Sequence, residues 1–226
     1  MKPAESLRKT LTKRQAELRP VMMTFDQPEA AMQMFLSHHA MLHSAEVAQP
    51  EGGSLADLIL DDLAEKQFRR IPPKGEHSIT WCIWHIARIE DMTMNILVAG
   101  GEQVISQDNW PERLNSPINH SGNSMTMDEM VKLSDEVDTK ALRAYRVAVG
   151  QRTRKIAAPL QPEHLKQQVD PTRLQRVLDE GALIETASGI ADYWGKRTIA
   201  GLLLMPATRH IIVHLNEALK IKSKLK

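Results

Sequence analysis

Two histidines and a glutamate share a helical spacing in the segment "RHIIVHLNE". His210 and His214 are four residues apart, so on an α-helix their side chains project about 40° from one another on one face. Glu217, seven residues after His210, returns to nearly the same direction. That face also carries the apolar side chains Ala207, Ile211, Ala218 and Ile221. The pattern therefore predicts that the two imidazoles point into the protein.

Buried imidazoles need partners, because each unsatisfied polar group costs about 1–3 kcal/mol. A single divalent metal ion would satisfy both His210 and His214. The alternative is an ordinary pair of core histidines, each bonded to a carbonyl or a carboxylate. The spacing alone leaves both interpretations open.

A third candidate ligand, His85, lies on another predicted helix. It is the polar exception in an apolar row formed by Trp81, Ile89, Met92 and Ile96. Three neutral histidines with a vacant position form the usual open site for Zn²⁺. Nickel, cobalt and ferrous iron accept the same ligands, so the sequence predicts a divalent ion (Zn, Ni or Fe) without choosing among them.

A second histidine pair, His39 and His43, also has a spacing of four residues. These residues are interpreted as outer partners of the metal ligands, substrate contacts, proton carriers or structural core residues. His43 is the better functional candidate, and with Glu217 it is predicted to move protons in catalysis. The remaining histidines are expected at the surface: His38, His77, His120 and His164.

Other reactive side chains suggest less chemistry. Cys82 precedes His85 by about one helical turn, but a lone cysteine in an apolar helix usually serves packing. Arg88, Glu90 and Asp91 in "RIED" are expected to form ion pairs that face solvent, and the nearby methionines are expected in the core. No glycine-rich phosphate loop, nucleophile elbow or CxxC motif occurs.

The elements that must position these residues are predicted to be helices. Four principal helices are expected at about residues 28–47, 78–99, 127–156 and 206–222, with shorter ones between them. Residues 102–125 read as a long loop with a helical turn near Trp110. The predicted fold is all-α: a four-helix bundle with long connections over residues 21–226, preceded by a basic, solvated arm at residues 1–20.

Composition limits the class of protein. The 226 residues are 42% hydrophobic and 25% charged, which suits a folded domain with a substantial core. A net charge of +1 gives no reason to expect nucleic acid as a partner. The N-terminus has no secretory pattern, no apolar stretch is long enough to span a membrane, and the single cysteine suits a reducing compartment. We therefore expect a cytoplasmic protein.

The segments "SITWCIWHIARIED" and "MPATRHIIVHLNE" resemble the single-histidine helix and the HxxxH helix of the DinB/YfiT-like superfamily of helical-bundle metalloproteins. The resemblance covers about residues 28–222 and implies that His85, His210 and His214 are metal ligands in a bundle that is often dimeric. Trp84 stands where the family often has glycine. Family members of known chemistry include thiol-dependent transferases and isomerases.

Two functions follow as hypotheses. In the first, the ion on the three histidines activates a thiol or water for transfer to, or hydrolysis of, a small molecule. In the second, the chain is a non-catalytic, stress-associated bundle that binds a metal or small ligand, or acts as a dimeric interaction protein. The expected partners are a small-molecule thiol or another small substrate and a second copy of the chain.

Overall fold

Every regular element in the described part of the chain is helical, as predicted. The structure, a computed structural model, describes residues 3–73 and 77–224. The α-helices are α1 (Pro3–Thr24), α2 (Pro28–Leu42), α3 (Leu55–Leu60), α4 (Glu65–Arg69), α5 (Ile79–Asp91), α6 (Trp110–Leu114), α7 (Met127–Glu136), α8 (Thr139–Ala157), α9 (Pro162–Lys166), α10 (Pro171–Asp179), α11 (Gly189–Gly195), α12 (Ile199–Leu204) and α13 (His210–Lys224). Two π-helical segments (Met92–Val98 and Met205–Arg209) and two 3₁₀ turns (Val104–Ser106 and Glu185–Ala187) complete them.

Four of these helices form the bundle: α2, α5 with its π-helical extension, α8 and α13. Helix α5 packs against both α8 and α13. Trp84 on α5, Tyr145 on α8 and Leu215 on α13 are completely buried. The predicted four-helix arrangement is compatible with this packing. None of the helices in the described ranges has the length and apolarity needed to cross a lipid bilayer.

Helix α5 is buried on all sides, and its polar and charged side chains have partners within the fold. Ser78 begins it, and its hydroxyl accepts a hydrogen bond from the backbone N–H of Trp81 at 3.0 Å. The π-helical extension ends at Val98, and Gly100 follows with a φ of 69°. Glycine fits this position because the conformation is left-handed and a Cβ would lie 2.8 Å from the Arg173 guanidinium.

Two predicted helices are shorter than expected. The expected helix at 127–156 breaks between α7 and α8, because Val137 is extended and the Asp138 carboxylate caps α8 at the N–H of Ala141. The first bundle helix ends at Leu42 rather than at residue 47. His43 is therefore its C-cap, with an extended backbone, although it was predicted inside the helix.

The N-terminal segment is not the solvated tail that the sequence predicted. Residues 3–24 form α1, which packs along α2 and α12. Leu11, Leu18 and Met22 on its inner face are completely buried. The many lysines and arginines obscured this apolar face, which carries its residues at helical spacing.

The break predicted at Met205 and Pro206 is a π-helical turn that joins α12 to α13. Proline lacks a backbone N–H and crowds the preceding turn, so regular α-helical bonding cannot continue through it. Single π-helical turns occur often at functional sites. This one ends immediately before His210 and so sets the direction in which α13 presents its histidines.

Candidate metal centre

Three imidazoles converge between α5 and α13. The ring centroids of His85, His210 and His214 are 4.6–4.8 Å apart in each pair. One donor nitrogen from each ring lies within 4.8 Å of the others. The Nε2 atoms of His85 and His210 are 3.0 Å apart. Ligand atoms about 2.1 Å from a common ion are about 3.0–3.4 Å apart, so this separation suits metal coordination.

In two of the three rings, a hydrogen bond to Nδ1 determines that Nε2 is the nitrogen available to a metal. His85 Nδ1 lies 2.8 Å from the Ser121 carbonyl, and His214 Nδ1 lies 2.9 Å from Glu217 Oε2. Carbonyl and carboxylate oxygens accept, so both Nδ1 atoms carry the proton and both Nε2 atoms keep a lone pair. Two lone pairs that face a third imidazole are the arrangement that a cation stabilises.

Burial keeps the rings of His85 and His210 neutral. Burial lowers the pKa of His85 to about 3, with a further contribution from His214. Burial also lowers the pKa of His210 well below its usual value, with contributions from His85 and His214. A neutral imidazole is the form that binds a metal, so proton competition at these two residues is weak near neutral pH.

The loop before α7 holds His85 in place. Four successive carbonyls of this loop accept hydrogen bonds from side chains of α5: Asn119 from Arg88, His120 from Trp84, Ser121 from His85 and Gly122 from Trp81. The sequence predicted this stretch only as a loop. Trp84 replaces the expected glycine and uses its indole N–H to fix the loop next to the ligand.

Glu217 connects the histidine group to a more exposed histidine. Its Oε1 lies 2.6 Å from His77 Nδ1, while its Oε2 accepts from His214. Although burial alone raises the pKa of Glu217, the hydrogen bonds from His214 and His77 bring it down to about 2. His77 stacks on Trp81 at 3.6 Å between ring centroids, and Trp81 stacks on His85 at 4.5 Å. His77, which was predicted at the surface, is half-buried and keeps part of its side chain exposed.

A cavity of about 160 Å³ opens beside the histidines. His85 and His210 form one wall, and Asn123 adds a polar side chain. The rest is mostly apolar: Ile89, Ile190, Tyr193, Trp194, Met205 and Pro206. The arrangement therefore offers space for a small molecule against the converging nitrogens.

The sequence of this chain matches a known family. The sequence pattern of the DinB superfamily matches residues 54–218, which is more than half of the chain. The chain belongs to the DinB superfamily. A comparison with curated proteins returns no match.

The DinB match includes one histidine group of the chain and excludes the other pair of histidines. It contains α5, the loop at 119–122 and the three converging histidines, together with Glu217. Helices α1 and α2 precede it, and so His39 and His43 lie outside the matched residues. The three donor imidazoles of His85, His210 and His214, with the tautomers fixed at His85 and His214, fit a divalent ion, in keeping with a metal-binding DinB protein.

His39 and His43 belong to a second group, centred on Glu90. His39 Nε2 is 2.8 Å from Glu90 Oε1, and His43 Nε2 is 3.1 Å from Glu90 Oε2. Arg146 Nη1 is 3.4 Å from the latter oxygen. The two imidazoles stack with centroids 4.0 Å apart, and all of these side chains are buried. The structure thus places His43 with Glu90 rather than against the three converging rings.

The prediction of solvent-facing ion pairs in "RIED" is wrong. Arg88, Glu90 and Asp91 are all buried. Arg88 Nη1 donates to Asp91 at 3.0 Å and to the Tyr145 hydroxyl oxygen at 2.9 Å, and the Tyr145 hydroxyl donates to Asp91 at 2.6 Å. The missed signal was the apolar sequence around them, because a helix that is hydrophobic on all sides is buried together with its charges.

Three other predictions have mixed outcomes. His38 is buried against Gln15 instead of lying at the surface, whereas His164 is exposed as predicted. Cys82 is completely buried in the apolar core, as expected for a packing residue. Its Sγ nevertheless lies within 4.8 Å of donor atoms of His214 and Glu217. Burial raises the pKa of the Cys82 thiol well above its usual value, which disfavours the thiolate.

Proposed function

We propose that this DinB protein is a metal-dependent enzyme in which His85, His210 and His214 hold one divalent ion. When bound, such an ion lowers the pKa of a thiol or water, which then attacks a small electrophilic molecule. The observation that carries the proposal is the convergence of three donor nitrogens, in which hydrogen bonds to Nδ1 leave Nε2 of His85 and of His214 with a free lone pair.

The cavity beside the histidines supports a small substrate. Tyr193, Trp194 and Met205 give it an apolar wall, and Asn123 offers a hydrogen bond to a polar group. Mostly apolar pockets with a few polar groups are typical of small-molecule sites. This lining favours a substrate with an apolar part near the reacting atoms.

Glu217 and His77 supply a route for a proton. Glu217 orients His214 through Nδ1–H and contacts His77 with its other oxygen. The His77 side chain retains 23% of its exposure, so it reaches solvent. We assign to Glu217 the positioning of His214, and to the His77–Glu217 pair the transfer of a proton between the site and water. The proton-carrying role of His43 stays a prediction, since its contacts are with His39 and Glu90.

Elemental analysis tests whether the three histidines bind a metal ion. The purified wild-type chain is expected to hold an ion that the His210→Ala and His214→Ala variants both lose while remaining folded by circular dichroism. His164→Gln, at an exposed histidine on α9, is the matched control and retains it. Equal metal content in wild type and both alanine variants would refute the three-histidine centre.

Cobalt substitution tests the chemistry. A low-molecular-weight thiol or an exchangeable water that enters the coordination sphere changes the visible absorption of bound Co²⁺. We expect a thiol to shift that spectrum in the wild type. A spectrum that does not respond to thiols would leave metal-activated water as the nucleophile. The homodimer and the cytoplasmic location remain predictions, to be tested by sedimentation and by fractionation.

A further inference from the structure

The group around Glu90 is a second constellation of metal-binding residue types, separate from the three histidines. His39, His43 and Glu90 each offer a donor atom, and these atoms all lie within 4.8 Å of one another. All three side chains are completely buried. Two histidines and one carboxylate are a ligand set used for catalytic zinc and for non-haem ferrous iron.

The hydrogen bonds within this group leave one donor atom beside Glu90 unsatisfied. His39 Nε2 is hydrogen-bonded to Glu90 Oε1. His43 Nε2 lies within 3.1 Å of the other oxygen but makes no hydrogen bond within the described residues. Buried polar atoms without partners are rare and costly, so His43 Nε2 points to a missing ligand. The Nδ1 atoms of both rings are also buried there without a partner, and an ion bound through the Nε2 atoms would leave them so.

The surrounding chain is shaped to hold His43 in this place. Helix α8 passes so close to the imidazole that a Cβ at Gly150 would lie 2.5 Å from His43 Nδ1. At the end of α2, the Ser54 hydroxyl donates to the His43 carbonyl at 2.6 Å. The residue is thus fixed from two sides, as expected for a ligand that needs a defined orientation.

A small cavity gives access to this buried group. It measures about 60 Å³ and is lined by His43 and Arg146 together with Asp57 and Asp61. A water molecule needs about 10–15 Å³ of such space, so there is room for water to complete a coordination sphere. The lining carries Glu46, Asp57 and Asp61 against Arg143 and Arg146, so acidic groups exceed basic ones by one.

Arg146 is the main argument for a purely structural network. Its Nη1 lies 3.4 Å from Glu90 Oε2, and it already compensates the carboxylate charge. Its Nε and Nη2 atoms, however, have no hydrogen-bond partner in the described chain. Arg146 shares Oε2 with His43, at the longer of the two distances, so it can orient a carboxylate whose oxygens also face the two imidazoles.

We propose that His39, His43 and Glu90 bind a second divalent transition-metal ion, which ties α2 to α5. Glu90 lies within the residues that match the DinB superfamily, while both histidines lie outside them. The ion would therefore fasten α2 to the part of the bundle that matches the DinB superfamily. It is independent of the three-histidine centre, because the two ligand sets share no residue.

The test uses the full chain carrying His210→Ala and His214→Ala, stripped of metal, equilibrated with Zn²⁺ and analysed for zinc per chain. These two substitutions remove the three-histidine centre and also the group formed by Cys82, His214 and Glu217. We expect about one tightly bound zinc, against about two in the wild type. If the His210→Ala, His214→Ala chain binds no zinc, the proposal is refuted, and the Glu90 group is a network of ion pairs without a metal. This holds even if the wild type binds one zinc ion, because that ion would then belong to the three-histidine centre.

Further substitutions in that background locate the ion. Gly150→Ala keeps every proposed ligand but forces His43 aside, and Glu90→Gln removes the charged ligand with little change of shape; each should abolish zinc binding. His38→Ala, at a buried histidine of the same helix outside the group, is the matched control and should retain it. Circular dichroism checks that each chain is folded. Zinc that survives both Gly150→Ala and Glu90→Gln would place the ion elsewhere and refute the assignment.

Discussion

The two histidine groups of this chain contain similar residue types in different surroundings. At the first, His85 and His210 line a cavity, and Glu217 links His214 to a partly exposed histidine. At the second, Glu90 and its partners are buried beside a smaller cavity of about 60 Å³, and a guanidinium compensates the carboxylate. The two groups therefore differ in cavity size and solvent access rather than in residue type. This difference separates a candidate reaction site from a candidate structural metal site.

The largest expected difference is in stability. In metal-free protein, Glu90→Ala leaves Arg146 charged and buried without its partner, which should lower the free energy of unfolding by about 3–5 kcal/mol. Glu217→Ala removes a half-buried carboxylate whose partners reach water more easily, and should cost about 1 kcal/mol. Urea denaturation of both variants measures the two losses in the free energy of unfolding. Equal losses would show that the two groups do not differ as described.

Acid should weaken the fold through histidines of both groups. Burial is the main cause that lowers the pKa of His43 and of His85 to about 3, and of His38 to about 4. In the unfolded chain their pKa is about 6.5, so between these values the unfolded state binds more protons and acidification favours unfolding.

The stability contributed by these neutral histidines is present above about pH 6.5 and is lost as the pH falls toward 4, by about 2 kcal/mol per residue at pH 5. Urea denaturation at pH 7.5, 6 and 5 with a chelator measures the slope, which His43→Gln should reduce. A free energy of unfolding that is constant or rises on acidification would contradict the neutral, buried state of these rings.

A smaller effect is expected at the partner that orients His214. Glu217→Gln keeps the shape but loses the charge that holds Nδ1–H, and should weaken metal binding at the three-histidine centre by about 10- to 100-fold. Competition with a metal-binding dye reports the affinity. Glu163→Gln, at an exposed position on α9, is the control. An unchanged affinity in Glu217→Gln would remove Glu217 from the centre.

The smallest effect is expected at Cys82. Because burial favours the neutral thiol, Cys82→Ala should change the metal affinity of the three-histidine centre by less than about twofold. The same dye competition measures it. A large loss of affinity would instead make Cys82 a ligand, in the group that it forms with His214 and Glu217.

The sequence predicted the first group better than the second. His85, His210 and His214 were each polar exceptions on apolar stripes, and such stripes face one core, so their convergence followed from the periodicity. Glu90 was missed because charged residues in a helix are usually exposed. The apolar residues that surround "RIED" on both sides, from Ile79 to Ile86 and from Met92 to Val98, carried the opposite signal although polar residues interrupt them.

Tertiary contacts explain most of the remaining differences between the prediction from sequence and the structure. The role of the 119–122 carbonyls depends on how a loop lies along α5, which no local pattern specifies. The contact between His77 and Glu217 joins residues far apart in the chain. The helix break at Asp138 was visible as a capping residue, but the helical pattern on either side of it concealed the break.

Anomalous diffraction from crystals of the zinc-loaded protein tests the central claim most directly. The account predicts a zinc peak about 2.0–2.2 Å from the Nε2 atoms of His85, His210 and His214, with His85 Nδ1 still bonded to the Ser121 carbonyl. Crystals that hold zinc with no peak among these three rings would contradict it.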